Sequence, residues 1–438
     1  MLPPSSHHMP IDRFAPSHPL GYYEASVPSR EAYRSLAGAV TTDVCVVGGG
    51  IAGCSTALHL AERGYRVVLL ESEHIGFGAS GRNGGQIIPG FGCEQSTLDS
   101  LVGVADAKRM WDVSVDAVQL LRDLIARHSI DCDWQRGQLQ VAIKPRNRNA
   151  LIAWHEQLQS HYGYQSTRVI HLDALQSLLA TQRYCAGLHD SNGGHLNPLK
   201  YTLGLANAAA RAGAQLFEHS KAISLSKGST AIVRTESGEV HAAHVVLCGN
   251  TYLGELEPRI RSRIMPVGTY IVATEPLGET RARELIRDNS AVTDTNFVLD
   301  YFRRSADHRL LFGGRVSYSG RDVFDTAHAT RARMLRVFPQ LSAVKIDYAW
   351  GGMLDITMNR APDFGRIGNN VYYLQGFSGH GVTVAGMAGK LAAEGIAGQA
   401  ERFDLFGKIK HRNFPGGRLL RMPALVLGML WYRLRDLL

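Results

Sequence analysis

Several familiar patterns are missing from this chain of 438 residues. Its six cysteines never form a C-x-x-C pair, so the spacing of a zinc site or a redox dithiol is absent and we expect no metal. No apolar run approaches the ~20 residues that cross a bilayer, and no secretory signal opens the sequence. These absences favour a soluble protein of the reducing cytoplasm, with its cysteines present as free thiols.

Acidic residues are also in short supply, because 39 Asp and Glu stand against 47 Lys and Arg and the formal net charge is +8. The basic residues are spread along the chain, and no nucleic-acid-binding motif accompanies them. We interpret them as a solvated basic surface, which can also attract an anionic substrate. We therefore expect no nucleic acid as a partner.

The most informative segment that is present covers residues 42–71 and predicts a strand, a glycine turn, a helix and a second strand ending on an acid. Gly48, Gly50 and Gly53 form G-x-G-x-x-G. The first glycine allows the tight turn, the second lets a pyrophosphate approach the backbone, and the third lets the helix lie close to the strand. The helix N-terminus offers N–H groups to phosphate, and the Glu71 carboxylate can accept hydrogen bonds from an adenosine ribose. The pattern predicts dinucleotide binding; the alternative is a glycine-rich turn in an ordinary βαβ unit.

Three further glycine-containing motifs accompany this unit: GASGRNGGQ at 78–86, HVVLCGN at 244–250 and GFSGHGVT at 376–383. Together the four motifs resemble those of the D-amino-acid-oxidase-like family of FAD-dependent oxidoreductases, over most of residues 40–400. In that family the second motif passes beside the flavin ring, the third ends a strand near FAD, and the fourth caps the pyrimidine end of the flavin. Within the family, GFGASGRNGGQ, MNRAPDFGR and the C-terminal segment look most like the bacterial gamma-glutamylputrescine oxidoreductases, which convert a glutamyl-capped diamine to an aldehyde.

The resemblance implies a mixed α/β (α+β) fold, in which a Rossmann-like FAD-binding domain is interleaved with a substrate domain built on a mainly antiparallel β-sheet. A helical pattern over residues 104–127 falls inside the substrate domain. The predicted division is an extended N-terminal arm (1–40), a discontinuous FAD-binding domain (41–95, 185–255 and 348–400), a substrate domain (96–184 and 256–347) and a basic, apolar C-terminal tail (401–438).

The resemblance also implies FAD as the cofactor, and we expect it to be bound non-covalently because no cysteine is a convincing attachment point. Cys248 is interpreted as strand packing, and Arg82 and Gln86 either hold their loop or touch the flavin ring. The residues implied in cofactor binding are Gly48, Gly50, Ile51, Ala52, Gly53, Glu71, Ser72, Gly78, Ala79, Ser80, Arg82, Asn83, Gly84, Gly85, Gln86, Ala222, Cys248, Gly249, Gly376, Phe377, Ser378, Gly379, Gly381, Val382 and Thr383.

Three residues are candidates for the chemistry. His380 is the one titratable side chain of the last glycine motif, and it either satisfies loop carbonyls or lies beside the flavin, tuning its potential or its reaction with oxygen. Tyr301 and Arg303 alternate in FVLDYFRR and so share one face of a predicted strand. They form either a substrate wall or a half-exposed sheet face, and Tyr270 has the same status.

One departure from the family pattern bears on the substrate. Amino-acid oxidases of the family often read W-x-G-L-R-P-x-T-P-D-G-x-P, with an arginine that pairs with a substrate carboxylate. Here the segment is WGGMLDITMNRAPDFG, and Leu354 stands at the position of that arginine. Leucine cannot form the bidentate clamp, which favours an amine substrate over a simple α-amino acid. Other arginines remain candidates for a carboxylate partner: Arg303, Arg304, Arg315 and Arg360.

The expected function is oxidation of an amine, such as gamma-glutamylputrescine or a related glutamylated polyamine, by hydride transfer to flavin N5. The imine then hydrolyses to an aldehyde and ammonia. Alternatives are an amino-acid or N-methyl-amine oxidase on the same scaffold, an NAD(P)H-dependent flavoprotein, for which a second nucleotide motif is missing, and a non-catalytic FAD subunit. Molecular oxygen as electron acceptor is left open, since oxidase and dehydrogenase are not distinguished.

The C-terminal tail gives the last expectation. Residues 414–438 are rich in Leu and Arg and contain Trp431. Its apolar residues nearly encircle a helix, whereas a helix lying on a membrane surface shows a broader polar face. We expect the tail to dock on protein, either on the chain's own body or on a second copy in a homodimer, with contact to a membrane surface as the alternative.

Overall fold

The computed structural model describes residues 21–296, 298–317 and 323–415. Residues 1–20 of the predicted arm and 416–438 of the predicted tail lie outside the described residues, so the docking expected for the tail stays a prediction. Among the helices of the described part, none is long and apolar enough to cross a membrane.

The secondary structure alternates between helices and strands along most of the chain. The helices are α1 (Tyr22–Ala25), α2 (Ile51–Ala61), α3 (Gln95–Val102), α4 (Val104–His128), α5 (Pro145–Ser160), α6 (Leu172–Leu178), α7 (Pro198–Arg211), α8 (Pro258–Arg261), α9 (Glu279–Leu285), α10 (Val323–Val337), α11 (Gly381–Ile396) and α12 (Glu401–Gly407). The strands are β1 (Gly38–Val47), β2 (Val67–Leu70), β3 (Gln86–Ile87), β4 (Gln135–Ala142), β5 (Thr167–Ile170), β6 (Ala186–His195), β7 (Gln215–Phe217), β8 (Ser224–Ser226), β9 (Ala231–Arg234), β10 (Gly238–Leu247), β11 (Ile264–Thr274), β12 (Ala291–Asp294), β13 (Tyr301–Arg304), β14 (Leu310–Ser317), β15 (Ile346–Thr357), β16 (Asp363–Ile367) and β17 (Val371–Gln375).

The first sheet carries the glycine turn. Its strand order is β16-β17-β10-β1-β2-β7, and the pairs from β17 to β7 are parallel. Strand β16 is antiparallel to β17, and a β8–β9 hairpin extends β10. Strand β2 is buried along its whole length, as expected for a parallel strand covered on both faces.

The second sheet is mixed and mainly antiparallel, with the order β15-β11-β14-β13-β12-β4-β6-β3 and β5 paired to β6. Only the β12–β4 pair is parallel among its described pairings. Two sheets of these two kinds confirm the predicted fold class, a Rossmann-like unit interleaved with a mainly antiparallel sheet.

The two sheets divide the chain differently from the predicted segments at three places. Strands β6, β15 and β3 fall largely within segments assigned to the FAD-binding domain, yet all three pair within the second sheet. The reason is pairing at long range, because β6 pairs with β4, β15 with β11 and β3 with β6, and the members of each pair lie far apart in sequence. The domain bounds as a whole stay a prediction.

Helix α2 lies at the centre of the core beside the first sheet, and every one of its residues is buried. Helix α11, whose alanines and glycines predict close packing, crosses it. A Cβ atom on Gly389 would lie 2.6 Å from the carbonyl oxygen of Ala52, and the Ser55 hydroxyl donates to the Gly386 carbonyl at 2.6 Å. This contact brings the start of α11 to the same side of the sheet as the glycine turn.

The N-terminal arm is not extended throughout. Residues 22–25 form the short helix α1, and β1 already begins at Gly38. Tyr23 of α1 is buried, and its ring packs edge-on against Trp350 of β15, with the ring centroids 5.2 Å apart. The prediction of an extended arm is therefore wrong at residues 22–25. The helix forms there because Tyr22 and Tyr23 pack on an apolar surface of the second sheet.

Candidate active site

The glycine turn between β1 and α2 has the shape that its motif predicts. Gly48 has a positive φ of 113°, and a Cβ there would lie 2.7 Å from the carbonyl oxygen of Cys248. A Cβ on Gly53 would lie 1.9 Å from the carbonyl oxygen of Gly48. The first glycine thus allows the turn beside the end of β10, and the third allows the helix to lie against the strand, as the motif predicts.

Gly50 differs from these two glycines because its Cβ would meet a movable side chain rather than backbone. The nearest atom is the Ser80 hydroxyl oxygen, at 2.7 Å, and this oxygen accepts the Ile51 N–H at 2.9 Å. A hydroxyl oxygen from the second glycine motif therefore stands at the N-terminus of α2, where the helix dipole favours a phosphate. The structure brings the first two predicted cofactor motifs into direct contact.

Glu71 ends β2 beside this turn and is buried. One of its carboxylate oxygens accepts the Gly49 N–H at 2.6 Å, and the other accepts the Glu73 N–H at 3.0 Å and the Ser72 hydroxyl at 3.1 Å. Burial raises the pKa of Glu71, and these donors lower it in part. Each carboxylate oxygen has two lone pairs, so the oxygen bonded to Gly49 keeps one for a ribose hydroxyl.

The second glycine motif is held largely by its own side chains. The Asn83 amide donates to the Ala79 carbonyl at 2.8 Å and accepts the Gly85 N–H at 2.7 Å. Arg82 donates through Nε to the Phe77 carbonyl at 2.7 Å and lies over the Phe77 ring. Arg82 therefore holds the loop, one of the two alternatives that its sequence position left open.

Gln86, the last residue of that motif, is satisfied at only one end. Its Nε2 donates to the Val292 carbonyl at 3.0 Å, whereas its buried Oε1 has no hydrogen-bond partner among the described residues. A buried amide oxygen without a donor is costly. This acceptor fits a ligand with an N–H or O–H group, which an isoalloxazine ring or an amine substrate would supply.

Tyr301 and Arg303 lie on one face of β13, as their alternation predicts, and both reach the 78–86 loop. A Cβ on Gly84 would lie 2.7 Å from the Tyr301 ring, and one on Gly313 would lie 2.2 Å from it. Arg303 donates through Nε to the Gly84 carbonyl at 2.8 Å. Phe302, between them, points into the opposite core, where it stacks with Phe312.

Arg303 does not form a free substrate wall. It is 3% exposed, and its other donors go to the carbonyls of Leu196 and Arg304, the Tyr23 hydroxyl and the His195 ring. Tyr301 is only partly buried, and burial raises the pKa of its phenol, so it is neutral at physiological pH. Tyr301 therefore stays a candidate residue of the substrate-site wall, whereas Arg303 lies beneath the 78–86 loop.

Tyr270 is placed one strand further, on β11. It is buried, and a Cβ on Gly351 of the neighbouring β15 would lie 3.0 Å from its ring. Its sequence position left a substrate wall and a sheet face open. The structure places the ring against its own sheet.

The last glycine motif forms a loop tied to β15. Gly376 and Gly379 have positive φ values of 77° and 96°, and Ser378 has a φ of 50°. The Asp355 carboxylate accepts the Gly376 N–H, and the Ser378 N–H donates to the Asp355 carbonyl at 3.1 Å. Burial raises the pKa of Asp355 to about 7, although the backbone N–H of Gly376 opposes this. Sequence reasoning missed Asp355, whose only signal is an acid directly after Leu354.

His380 directly precedes α11. Burial, with a smaller effect from the positive charge of Arg360, lowers the pKa of His380 to about 4, so the ring is neutral at pH 7. Its Nδ1 is buried without a hydrogen-bond partner among the described residues. Nδ1 therefore does not bind a loop carbonyl, as one of the two interpretations of His380 required. A buried nitrogen of this kind is instead suited to a hydrogen bond with a neighbouring ligand.

The remaining predicted cofactor residues lie around these loops. Burial raises the pKa of the Cys248 thiol, which packs with the core beside the first sheet. All six cysteines are free. Val382 and Thr383 are buried in the first turn of α11, and Ala222 packs at the edge of the apolar core on the other face of the sheet. Their roles toward FAD stay predictions.

The arginines proposed for a substrate carboxylate are scattered. Arg304 donates to the Asn289 side chain at 3.0 Å, whereas Arg360 lies near His380. The Arg315 side chain falls outside the described part. Leu354 pairs with Val267 across β11 and is half-buried.

Strand β15 contacts both the second and the last glycine motif. The Trp350 indole donates to the Arg82 carbonyl at 3.0 Å, and a Cβ on Gly352 would lie 3.2 Å from the Arg82 Cβ. Asp355 lies further along the same strand and holds the last glycine loop. The two loops predicted to flank the flavin therefore rest on one strand of the second sheet. Gln86 Oε1 and His380 Nδ1 have no hydrogen-bond partner among the described residues. These two atoms and the two loops on β15 fit a dinucleotide with a polar ring.

Comparisons with known proteins agree with this arrangement. The model of a family described as FAD dependent oxidoreductase (DAO) matches residues 43–395. Gamma-glutamylputrescine oxidoreductase of Escherichia coli (strain K12) is 42% identical over 422 residues, covering 96% of this chain and 98% of that protein. A probable oxidoreductase, OrdL, of Haemophilus influenzae is 39% identical over 424 residues, covering 96% of this chain and 97% of that protein.

Solved structures show the same fold at low sequence identity. Glycine oxidase from Geobacillus kaustophilus matches with a TM-score of 0.70 at 18% identity, covering 85% of this chain and 99% of that one. L-proline dehydrogenase from P. horikoshii matches with a TM-score of 0.68 at 22% identity, covering 84% and 97%. At these identities the likeness concerns the fold alone.

Proposed function

The chain belongs to the DAO family of FAD-dependent oxidoreductases, and on that premise we propose that it oxidises a primary amine lacking an α-carboxylate beside the reacting carbon. Gamma-glutamylputrescine or a related glutamylated polyamine is the proposed substrate. The 42% identity to the Escherichia coli enzyme supports this class. Amino-acid and N-methyl-amine oxidation on the same scaffold are the competing assignments.

The observation that carries the proposal is Leu354. It stands on β15, the strand that holds both predicted flavin loops, at the position where amino-acid oxidases of the family carry an arginine. A half-buried leucine offers no donor to a carboxylate. The buried guanidinium of Arg303 does not replace it, because its N–H groups already donate to the protein.

The bound cofactor would be held by Glu71 on the adenosine side, by the N-terminus of α2 at the pyrophosphate, and by the loops 78–86 and 376–380 at the ring. FAD supplies the two-electron acceptor for the hydride that leaves the carbon beside the amine nitrogen. The protein's part is to bind, orient and desolvate the substrate.

Two side chains expected near the flavin ring, those of His380 and Tyr301, are neutral, and this suits an amine. An alkylamine has a pKa near ~10.4, and it must lose its proton before a hydride can leave the adjacent carbon. A desolvated site disfavours the charged form of an amine. His380 is neutral because burial and Arg360 lower its pKa, and the Tyr301 phenol is neutral because burial raises its pKa. The Nδ1 atom of His380 offers a hydrogen-bond site for the substrate nitrogen or for the flavin.

The experiment is a panel of substrates mixed with the purified yellow protein without oxygen, followed by bleaching of the flavin absorbance. We expect gamma-glutamylputrescine to reduce the flavin fastest, followed by free putrescine, with D- and L-amino acids far slower. Faster reduction by any simple amino acid than by every polyamine would overturn the proposal. Repeating the fastest reaction with oxygen present then distinguishes an oxidase from a dehydrogenase.

A further inference from the structure

Arg303 is a buried cation that pairs with no carboxylate of the described residues. Its side chain is 3% exposed. Its five hydrogen-bond acceptors are neutral: the carbonyls of Gly84, Leu196 and Arg304, the Tyr23 hydroxyl and the His195 ring. Within the described part of the chain, no carboxylate pairs with it. Its charge is therefore stabilised by dipoles rather than by an opposite charge.

The His195 ring accepts from Arg303 as a neutral imidazole. Burial, with a smaller effect from the charge of Arg303, lowers the pKa of His195 to about 3. Its Nε2 lies 2.8 Å from the Asn289 carbonyl, to which it can only donate, so the Nδ1 that faces Arg303 is the accepting nitrogen of the neutral ring. A protonated histidine there would place two cations 3.5 Å apart.

Such a cation is expensive to bury. Moving a charged group from water into a protein interior costs on the order of several kcal/mol unless an opposite charge offsets the loss of solvation. A buried guanidinium without a carboxylate therefore calls for a reason beyond packing.

The surroundings of Arg303 supply that reason. Two of its acceptors frame the Gly84–Gly85 turn, since the Leu196 N–H donates to the Gly85 carbonyl at 2.8 Å while the Leu196 carbonyl accepts from Arg303. A Cβ on Gly85 would lie 2.9 Å from the Arg303 guanidinium. The guanidinium thus lies directly beneath the loop that is expected beside the flavin ring.

We infer that Arg303 is a positioning residue for the flavin, with two effects: it fixes the Gly84–Gly85 turn, and its uncompensated positive charge favours the negative charge that reduction places on the ring. The inference rests on the proposed placement of loop 78–86 beside the flavin. Charge placed in advance where negative charge develops is effective because the site need not reorganise. In a low-dielectric interior this effect reaches across a loop.

The test separates charge from geometry with two variants of one residue. Arg303→Lys and Arg303→Gln both lose the planar fork of five donors, but only Arg303→Gln loses the charge. Arg304→Gln is the matched control, because it removes a neighbouring, half-buried arginine from the same strand whose side chain donates to Asn289 rather than to the loop. The midpoint potential of the bound flavin and the melting temperature are measured for each holoenzyme.

We expect the midpoint potential to become more negative in Arg303→Gln and to stay near the wild-type value in Arg303→Lys. Both variants should melt at a lower temperature, and Arg304→Gln should keep the wild-type potential. Equal potentials in wild type and Arg303→Gln, or equal negative shifts in the Lys and Gln variants, would overturn the inference. If Arg303→Gln does not retain FAD, Arg303→Lys decides: an unchanged potential supports the role of charge, and a negative shift contradicts it.

This test is independent of the substrate assignment, because the potential is measured without substrate. A panel that favours amino acids would overturn the proposed function and leave the Arg303 result standing. An unchanged potential in Arg303→Gln would overturn the inference and leave the amine assignment standing.

Discussion

The Glu71 carboxylate accepts the Gly49 N–H at 2.6 Å, which ties the acid at the end of β2 to the middle of the glycine turn. The two groups come from opposite ends of the βαβ unit, on neighbouring parallel strands. This bond presents one carboxylate beside the N-terminus of α2, so that a single ligand can meet both. It also makes Glu71 a residue on which both cofactor binding and the stability of the folded turn depend.

Glu71→Gln should weaken FAD binding and destabilise the apo-protein. The substitution removes the charge that accepts ribose hydroxyls, and a hydrogen bond to a charged group is worth ~1.5–3 kcal/mol, so the Kd for FAD should rise about tenfold to hundredfold. The amide nitrogen of Gln cannot accept a hydrogen bond, so the backbone N–H of either Gly49 or Glu73 loses its acceptor, at a cost of ~1–3 kcal/mol. Titration of apo-protein with FAD measures the first effect, and thermal melting measures the second. An unchanged Kd would contradict the assignment of Glu71.

Gly50→Ala should fold and lose FAD. The added methyl meets only the Ser80 hydroxyl, which can rotate away, but it occupies the space through which a pyrophosphate approaches the backbone. Gly407→Ala is the matched control, since a Cβ there meets nothing within 4 Å. The ratio of flavin to protein absorbance after purification is the measurement. A full complement of FAD in Gly50→Ala would show that the turn does not bind the pyrophosphate.

The flavin should be released by acid. Burial raises the pKa values of Cys45, Cys54 and Cys248, so these thiols stay protonated and are poor nucleophiles for attachment to the ring. Precipitation of the holoenzyme with trichloroacetic acid should leave the yellow colour in the supernatant. Colour in the protein pellet would indicate a covalent bond.

Acid should destabilise the apo-protein partly through His380. Its folded-state pKa of about 4 lies below the ordinary value of 6.5, so the folded state binds fewer protons than the unfolded state between these values. The stability that this residue contributes is present above about pH 6.5 and is lost as the pH falls toward 4. Melting temperatures of wild type and His380→Gln across this range should converge as the pH falls. Parallel curves would show that His380 is not buried as a neutral ring.

Leu354→Arg should shift the enzyme toward amino acids. A guanidinium at this position of β15 can form a bidentate pair with a carboxylate, worth ~1.5–3 kcal/mol, so KM for a simple amino acid should fall about tenfold to hundredfold. Leu354→Met keeps the apolar character and serves as the control. The kcat/KM values for an amino acid and for gamma-glutamylputrescine are compared in both variants. An unchanged ratio in Leu354→Arg would remove the support that Leu354 gives to an amine substrate.

Local sequence determined the units whose partners lie nearby in the chain. The βαβ unit of residues 42–71 and the helix predicted over 104–127, observed as Val104–His128, follow from hydrophobic periodicity and glycine spacing. The roles of Gly48 and Gly53 follow as well, because a Cβ at either position would collide with backbone that the motif itself brings close. The alternation of Tyr301 and Arg303 correctly placed both on one face of β13, but which loop that face meets did not follow from it.

Tertiary structure alone decided which residues meet across the chain. Strand β6 joins the second sheet because its partner β4 lies there, and Asp355 matters because it meets Gly376. The structure shows Arg303 buried beneath the loop rather than in a substrate wall. Gly84, Leu196 and Tyr23 accept its hydrogen bonds there. Periodicity reports which face of an element is apolar, but it carries no information on which distant backbone groups will satisfy a side chain's hydrogen bonds. Burial and long-range pairing are properties of the assembled fold.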